Sequence, residues 1–121
     1  MKKDVLKQIG FTDKQTDVYI SLLSLGPNSV RSIAEHCDIN RQSVHEILKW
    51  LQEQGLATWY HKEKKQYFIA EDPQMLNHLV NDRKTELDET SRELEKAIPE
   101  LRAIHHREDE RPVAKYYSKK G

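Results

Sequence analysis

The stretch from Asn40 to Gln54, NRQSVHEILKWLQEQ, is the part of the chain with the least freedom in what it can become. Asn40 is a strong N-cap, because its side-chain amide accepts from a backbone N–H one turn further on, and Gly55 stands where helices commonly stop. About four turns of helix fit between them. At ~100° per residue Val44, Ile47, Leu48 and Leu51 share one stripe, whereas Arg41, Gln42, His45, Glu46, Lys49 and Glu53 point elsewhere. The pattern predicts a helix with one face to bury and one face of long hydrogen-bonding side chains, concentrated at its N-terminal end.

The residues before it read as its supports. Lys3 to Ile9 has room for two turns, with Val5, Leu6 and Ile9 as the apolar side and Gly10 as the stop. Phe11 anchors the connection. Thr12 and Gln15 form a T-x-x-Q capping box, in which hydroxyl and amide satisfy each other's backbone donors. A second helix then runs to about Leu25, burying Val18, Tyr19, Leu22 and Leu23, until Gly26-Pro27 ends it. Asn28 or Ser29 caps a third, Val30 to Cys37, whose inner face is Val30, Ile33 and the small Ala34, which lets a neighbouring helix cross close by. Cys37-Asp38-Ile39-Asn40 is a short turn, with Ile39 as a plug between the helices it joins. Helix, short turn and capped helix make a helix-turn-helix pattern.

After Gly55, Leu56 to His61 and Gln66 to Ala70 are rich in aromatic and branched residues, with Lys62-Glu63-Lys64-Lys65 between them. They read as a β-hairpin with a basic tip, although no Asn-Gly or Asp-Gly fixes the turn type or the register. Three helices followed by a hairpin make a winged helix. Asp72-Pro73 opens a further helix, along which Leu76, Val80, Arg83, Leu87, Thr90, Leu94, Ala97, Leu101 and Ile104 alternate by four and three. The stripe is a heptad seam, and a second copy of the chain is the economical way to bury it. Arg83 and Thr90 are polar insertions that weaken the seam while setting its register. Pro99 predicts a kink near Lys96 to Pro99, or a break followed by a short helix through Ile104. His105 to Pro112 has no apolar pattern and reads as linker, and Val113 to Ser118 as a strand without a partner in the chain. The expected class is mainly α, an α+β winged helix-turn-helix: a three-helix core with a β-hairpin wing over 1–71, a coiled-coil dimerisation helix over 72–104, and a tail over 105–121.

Net charge decides nothing here, since 20 basic residues balance 20 acidic ones. Their distribution does. Residues 1–70 hold 10 Lys and Arg against 8 Asp and Glu, while 71–111 hold 7 against 12, so the long helix is a poor surface for phosphates. Cys37 is alone, which rules out an intramolecular disulfide and suits a reducing compartment. A redox-sensing thiol is its functional alternative, and a small buried hydrophobe the plainer one. Lys2-Lys3 is not followed by the apolar run of a signal peptide, and nothing approaches a membrane span, so a cytoplasmic location without membrane contact is expected.

Candidate contacts follow from the architecture. In a helix-turn-helix the N-terminal turns of the second helix enter the major groove, where Arg bonds guanine and Gln bonds adenine through paired contacts. Arg41, Gln42, Ser43 and His45 are the residues placed for base edges, and Lys49, a turn further on, for a phosphate. Glu46 repels phosphates unless it accepts from cytosine or orients Arg41. Ser29 and Arg31 start the third helix, whose free N–H groups favour a phosphate. Lys62, Lys64 and Lys65 are the basic tip of the wing. Leu76, Val80, Leu87, Leu94 and Leu101 are the dimerisation residues. The bland alternative is a merely solvated polar face, and the alternative function is a protein-interaction module that docks a partner through the exposed helix and the acidic coil. Trp50 and Trp59 suit core and wing-base packing better than a base-stacking platform. His105-His106 has no cysteine nearby to complete a metal site, and there is no Gly-rich phosphate loop or activated nucleophile, so neither a cofactor nor an enzyme is expected.

The run GFTDKQTDVYISLLSLGPNSVRSIAEHCDINRQSVHEILKWLQEQGL resembles the DNA-binding domain of the TrmB-like family of prokaryotic transcription regulators, and the later AIPEL resembles that family's coiled coil. The likeness spans about residues 3–104. Its most specific parts are GFT, SIAEHCDI and the V-x-E-I-L-x-x-L-x-x-x-G-L run from Val44. The resemblance implies a winged-helix dimer that binds operator DNA, often near genes of sugar uptake or metabolism. Full-length members continue into an effector domain whose first strand resembles Val113 to Ser118; the expectation here is a chain without that domain, either naturally short or truncated, for which a small-molecule effector is not supported. His45 stands where many relatives have Tyr and Asn40 where many have Pro, both at the reading end of the helix, which leaves the operator sequence open.

Overall fold

Local capping sets most of the helix ends. In the computed structural model, which describes residues 2–109, the elements are α1 (Lys2–Gln8), α2 (Asp13–Leu25), α3 (Val30–Cys37), α4 (Arg41–Glu53), β1 (Ala57–Lys62), β2 (Lys65–Ala70), a 3₁₀ turn (Pro73–Met75) and α5 (Leu76–Asp109). The Thr12 box forms at both ends: Thr12 Oγ1 accepts from the Gln15 N–H at 3.1 Å, and Gln15 Oε1 accepts from the Thr12 N–H at 2.9 Å. Ser29 is the N-cap of α3, accepting from the Ser32 N–H at 3.2 Å. Asn40 caps α4 by accepting from the Ser43 N–H at 2.8 Å. At the other end the Gly55 N–H donates to Gln52 O at 3.0 Å and the Leu56 N–H to Leu51 O at 2.8 Å, a Schellman closure that turns the chain into the hairpin. Gly55 carries φ +78°, which that closure requires.

The chain divides into two units between Val80 and Asn81. In the first, Val18 and Leu22 of α2, Ile33 of α3, Val44, Leu48 and Leu51 of α4, Leu56 and Phe68 close into one core, each at 0 or 1% exposure. Phe11 bridges its edge, 5.6 Å from the Tyr19 ring and 5.1 Å from the Trp50 ring, the latter edge-on. Burial pushes the Tyr19 phenol above its ordinary range. Leu6 and Ile9 join as expected, but Val5 is 52% exposed and Leu23 40%. Leu23 lies ~100° round the helix from Leu22, beyond the reach of the α3 and α4 contacts. The polar Thr16 and Ser21 are buried instead, Thr16 with its hydroxyl donated to Thr12 O at 2.8 Å.

The hairpin is tighter than its sequence suggests. β1 and β2 pair antiparallel from Ala57 with Ala70 to Lys62 with Lys65, so only Glu63 and Lys64 form the turn. Both have positive φ, +52° and +68°, as a type I′ turn demands of its two central residues. Asn28 lies on the far side of β2 and exchanges both backbone bonds with Phe68, at 3.0 and 2.8 Å, which ties the wing to the start of α3. The register puts Ala57, Trp59, His61, Gln66, Phe68 and Ala70 on one face and Thr58, Tyr60, Lys62, Lys65, Tyr67 and Ile69 on the other. Trp59 shares the inward face but lies beyond the core: it stays 41% exposed, its ring 5.1 Å from that of His61, so it is not the wing-base packing expected of it.

α5 opens with Asp72 capping the 3₁₀ turn, its Oδ1 accepting from the Gln74 N–H at 2.8 Å. Its first turn belongs to the head. Leu79 is buried at 3% exposure, Leu76 packs half-buried against the same core and Val80 is half-buried. Leu76 is therefore already partnered at home, and the open part of the seam begins after Val80. Pro99 does not break the helix, which runs on through it to Asp109, past the expected linker boundary at His105. Pro99 lies two residues after the seam position Ala97, on the outer side of the helix, where the carbonyl it leaves unpaired can face water, and no further Pro or Gly follows before Pro112. The expected strand Val113 to Ser118 lies outside the described residues. No helix among those described is long and apolar enough to cross a membrane.

Candidate nucleic-acid interface

The site follows from how α4 is held. Three of its residues, Val44, Leu48 and Leu51, are wholly buried, Ile47 and Trp50 are half-buried, and the opposite side is left to solvent. On that side Arg41, His45 and Lys49 succeed one another every four residues and are all exposed, and Gln42 and Glu46 form a second exposed row beside them. Ser43 is half-buried, and its backbone N–H is taken by the Asn40 cap. Of the expected base-reading residues, Arg41, Gln42 and His45 are presented freely and Ser43 less so.

α3 and the turn after it bring a second basic group to the same place. Arg31 and Arg41 line one cleft of about 480 Å³, together with Glu35, Asp38 and Asn40. Glu35 holds Arg31, the Nε to Oε1 distance being 3.4 Å on an exposed face, and this contact is cheap to give up because water screens it. The turn is closed by Asp38 in the left-handed region at φ +56°, with the Ile39 N–H donating to Ala34 O at 3.2 Å. Ile39 packs half-buried against the core, as the plug the spacing suggested. Ser29 is half-buried, and its hydroxyl serves the Ser32 N–H and the Ser32 hydroxyl, so its first duty is the cap.

On the wing, Lys62, Lys64 and Lys65 are all exposed. Lys62 and Lys65 are cross-strand partners on the outer face, and Lys64 stands in the turn. Next along that face, Tyr60 and Tyr67 stack with ring centroids 5.7 Å apart and planes 24° from parallel. Sequence reading did not single out this tyrosine pair, because it emerges only from the register, and the register follows from the two-residue turn.

Cys37 is half-buried at the end of α3, its Sγ donating to Ile33 O at 3.1 Å. Burial raises the thiol above its usual range, which keeps it a poor thiolate and favours the plain packing role. Among the described residues no cluster of His, Cys, Asp and Glu is arranged to hold a metal ion.

The sequence pattern of the sugar-specific transcriptional regulator TrmB family matches residues 6–74. No curated protein matches the chain closely enough to count as a relative. Among solved structures the chain is similar to TrmBL2, an archaeal chromatin protein, with a TM-score of 0.70 at 16% identity, over 84% of this chain and 39% of that one. The present chain thus spans well under half of that protein. It is also similar to ST1889 from the thermoacidophilic archaeon Sulfolobus tokodaii, with a TM-score of 0.60 at 18% identity over 75% of this chain and 99% of that one. Reduced AbfR bound to DNA superposes with a TM-score of 0.51 at 24% identity, over 83% of this chain and 78% of that one. The two-stranded wing, the helix-turn-helix and the matched span from Leu6 to Gln74 agree: the chain belongs to the TrmB family, a family of winged-helix DNA-binding transcription regulators and not of enzymes.

Proposed function

We propose that the chain acts in the cytoplasm as a two-fold dimer on double-stranded DNA, with α4 in the major groove and the wing on the flanking backbone of an inverted repeat. One observation carries this: α4 buries Val44, Leu48 and Leu51 completely while Arg41, Gln42, His45 and Lys49 stay on the water side. A helix fixed so firmly on one side presents the other in a constant geometry, as base readout requires. Arg41 and Gln42 read base edges, with His45 a turn behind them. Lys49, Arg31 and the wing lysines meet phosphates, and the Ser29 cap orients the start of α3 towards the same backbone. The second copy is held through the stripe of α5 that stays open after Val80, with Leu87, Leu94 and Leu101 as its centre.

The test is the salt dependence of binding to operator and random duplexes. Arg41→Ala is expected to cost about 1 to 3 kcal/mol on the preferred site and to relax specificity there. Lys64→Ala with Lys65→Ala is expected to weaken binding to every sequence and to flatten the slope of log affinity against log salt by about 0.9 per lost phosphate contact. Unchanged affinity and slope in both variants sink the reading, and point to a protein partner for the same face.

A further inference from the structure

We infer that the second copy lies antiparallel on α5, centred on Arg92. This rests on the dimer proposed above and goes beyond it by naming the orientation and the facing residues. Leu87, Leu94 and Leu101 occupy one core position of the heptad, and Arg83, Thr90, Ala97 and Ile104 the other. The four apolar members after Val80 with large side chains are more than half exposed in the single chain: Leu87 69%, Leu94 52%, Leu101 53% and Ile104 56%. The two orientations differ in what each layer contains.

In a parallel, in-register pair every layer stacks a residue on its own copy. Arg83 would face the partner's Arg83, flanked on both sides by Lys84, so four cations would meet at one layer. Thr90 and Ala97 would form layers of two small residues, too thin to fill the space between helices held apart by Leu layers. In an antiparallel pair centred on Arg92, each leucine of the seam meets a small or polar residue. Leu87 packs on the partner's Ala97, Leu94 on the partner's Thr90, and Val80 meets the partner's Ile104. Leu101 packs on the stem of the partner's Arg83, whose guanidinium then comes beside Glu100. The cost is that, along one flank, Glu93 faces the partner's Glu93 and Glu86 faces the partner's Glu100. Those carboxylates stay in water and are screened, whereas the arginines of the parallel pair sit in the seam itself. The seam decides.

In a Cys37→Ser parent, so that only the introduced thiol reacts, Glu93→Cys and Leu87→Cys are each treated with a short bismaleimide and resolved on a denaturing gel, alongside sedimentation of the untreated proteins. The antiparallel pair brings the two Glu93 positions together and sets the two Leu87 positions about 15 Å apart along the axis. Glu93→Cys is therefore expected to run mostly as a linked dimer, and Leu87→Cys to stay at the level of the parent. Linkage through Leu87→Cys alone overturns the orientation in favour of the parallel pair, and a dimer that links through neither overturns the register. A monomer in sedimentation at every concentration overturns the dimer itself, and the orientation with it. Arg83→Glu adds a readout of opposite sign. It loses the neighbouring Glu100 in the antiparallel pair and is expected to weaken dimerisation roughly threefold. In the parallel pair it would replace four meeting cations by Glu and Lys neighbours and strengthen it.

Discussion

α4 and α5 are both amphipathic, and the same reading of hydrophobic period finds each of them, yet they end in different situations. The stripe of α4 is answered within the chain: Val44, Leu48 and Leu51 are at 0% exposure. Among the described residues the stripe of α5 after Val80 is not, since Leu87, Leu94, Leu101 and Ile104 all remain more than half exposed. The difference bears on what each helix can bind. A helix whose apolar side is saturated offers only its polar side, and what it binds must be read by hydrogen bonds and charge. A helix whose apolar side is open is free to take an apolar partner.

The contrast can be broken most directly by cutting one leucine from each helix. Leu48→Ala in α4 is expected to destabilise the head by about 2 to 5 kcal/mol, through lost burial and the cavity left behind. Leu94→Ala in α5, measured by urea unfolding at a concentration where the chain is monomeric, is expected to change stability by less than about 0.5 kcal/mol, because Leu94 is already more than half exposed in the single chain. Equal costs would mean that α5 buries its stripe at home and that the distinction is false.

A smaller effect sharpens the polar side of the comparison. Asp38 and Lys64 are both non-glycine residues in the left-handed region, at φ +56° and +68°. Asp38→Gly is expected to raise stability by about 1 kcal/mol, as the strain of a Cβ there is relieved. Lys64→Gly is expected to stabilise the wing to a similar or smaller extent while lowering affinity for all duplexes. If it stabilises and affinity holds, the tip of the wing has no part in binding, and the polar surface shrinks to α4 and the start of α3.

The smallest effect belongs to the surface. Lys7 Nζ lies 2.8 Å from Asp13 Oδ1, and this hydrogen bond, with the charge behind it, holds the Asp13 carboxyl below its ordinary range and Lys7 above its own. For Asp13, whose folded value is depressed, the contribution is present above the unfolded carboxylate range and disappears as pH falls through the folded value. Asp13→Asn is thus expected to lower the urea midpoint slightly at neutral pH and not at all in strong acid, where the wild-type carboxyl is protonated as well. A cost that persists in acid would assign the effect to the helix start and not to the ion pair.

Much of the head is legible in the sequence alone. The Thr12 and Asn40 caps, the stop at Gly55 and the packed stripe of α4 are interactions among residues within one or two turns, so the sequence carries them almost whole. The ends of the stripes were less so. Val5 and Leu23 satisfy the helical period but sit at the margins of their faces, where cover depends on how far a neighbouring helix extends. The heptad spacing passes over Leu79, yet Leu79 is the buried anchor of α5, because the first turn packs on the head and does not follow the seam. The candidate contacts on α4 follow from spacing alone, whereas the shared cleft of Arg31 and Arg41 and the pairing of Tyr60 with Tyr67 do not.

By itself the amino-acid order determined where helices start and stop and which side of each is oily, since capping and period act over a few residues. Only the tertiary structure decided which oily sides are covered, that Glu63 and Lys64 make a two-residue turn, and that Asn28 fastens β2 to the start of α3. Those outcomes depend on groups far apart in the chain competing for the same space and the same backbone bonds, and no local pattern records the result of that competition.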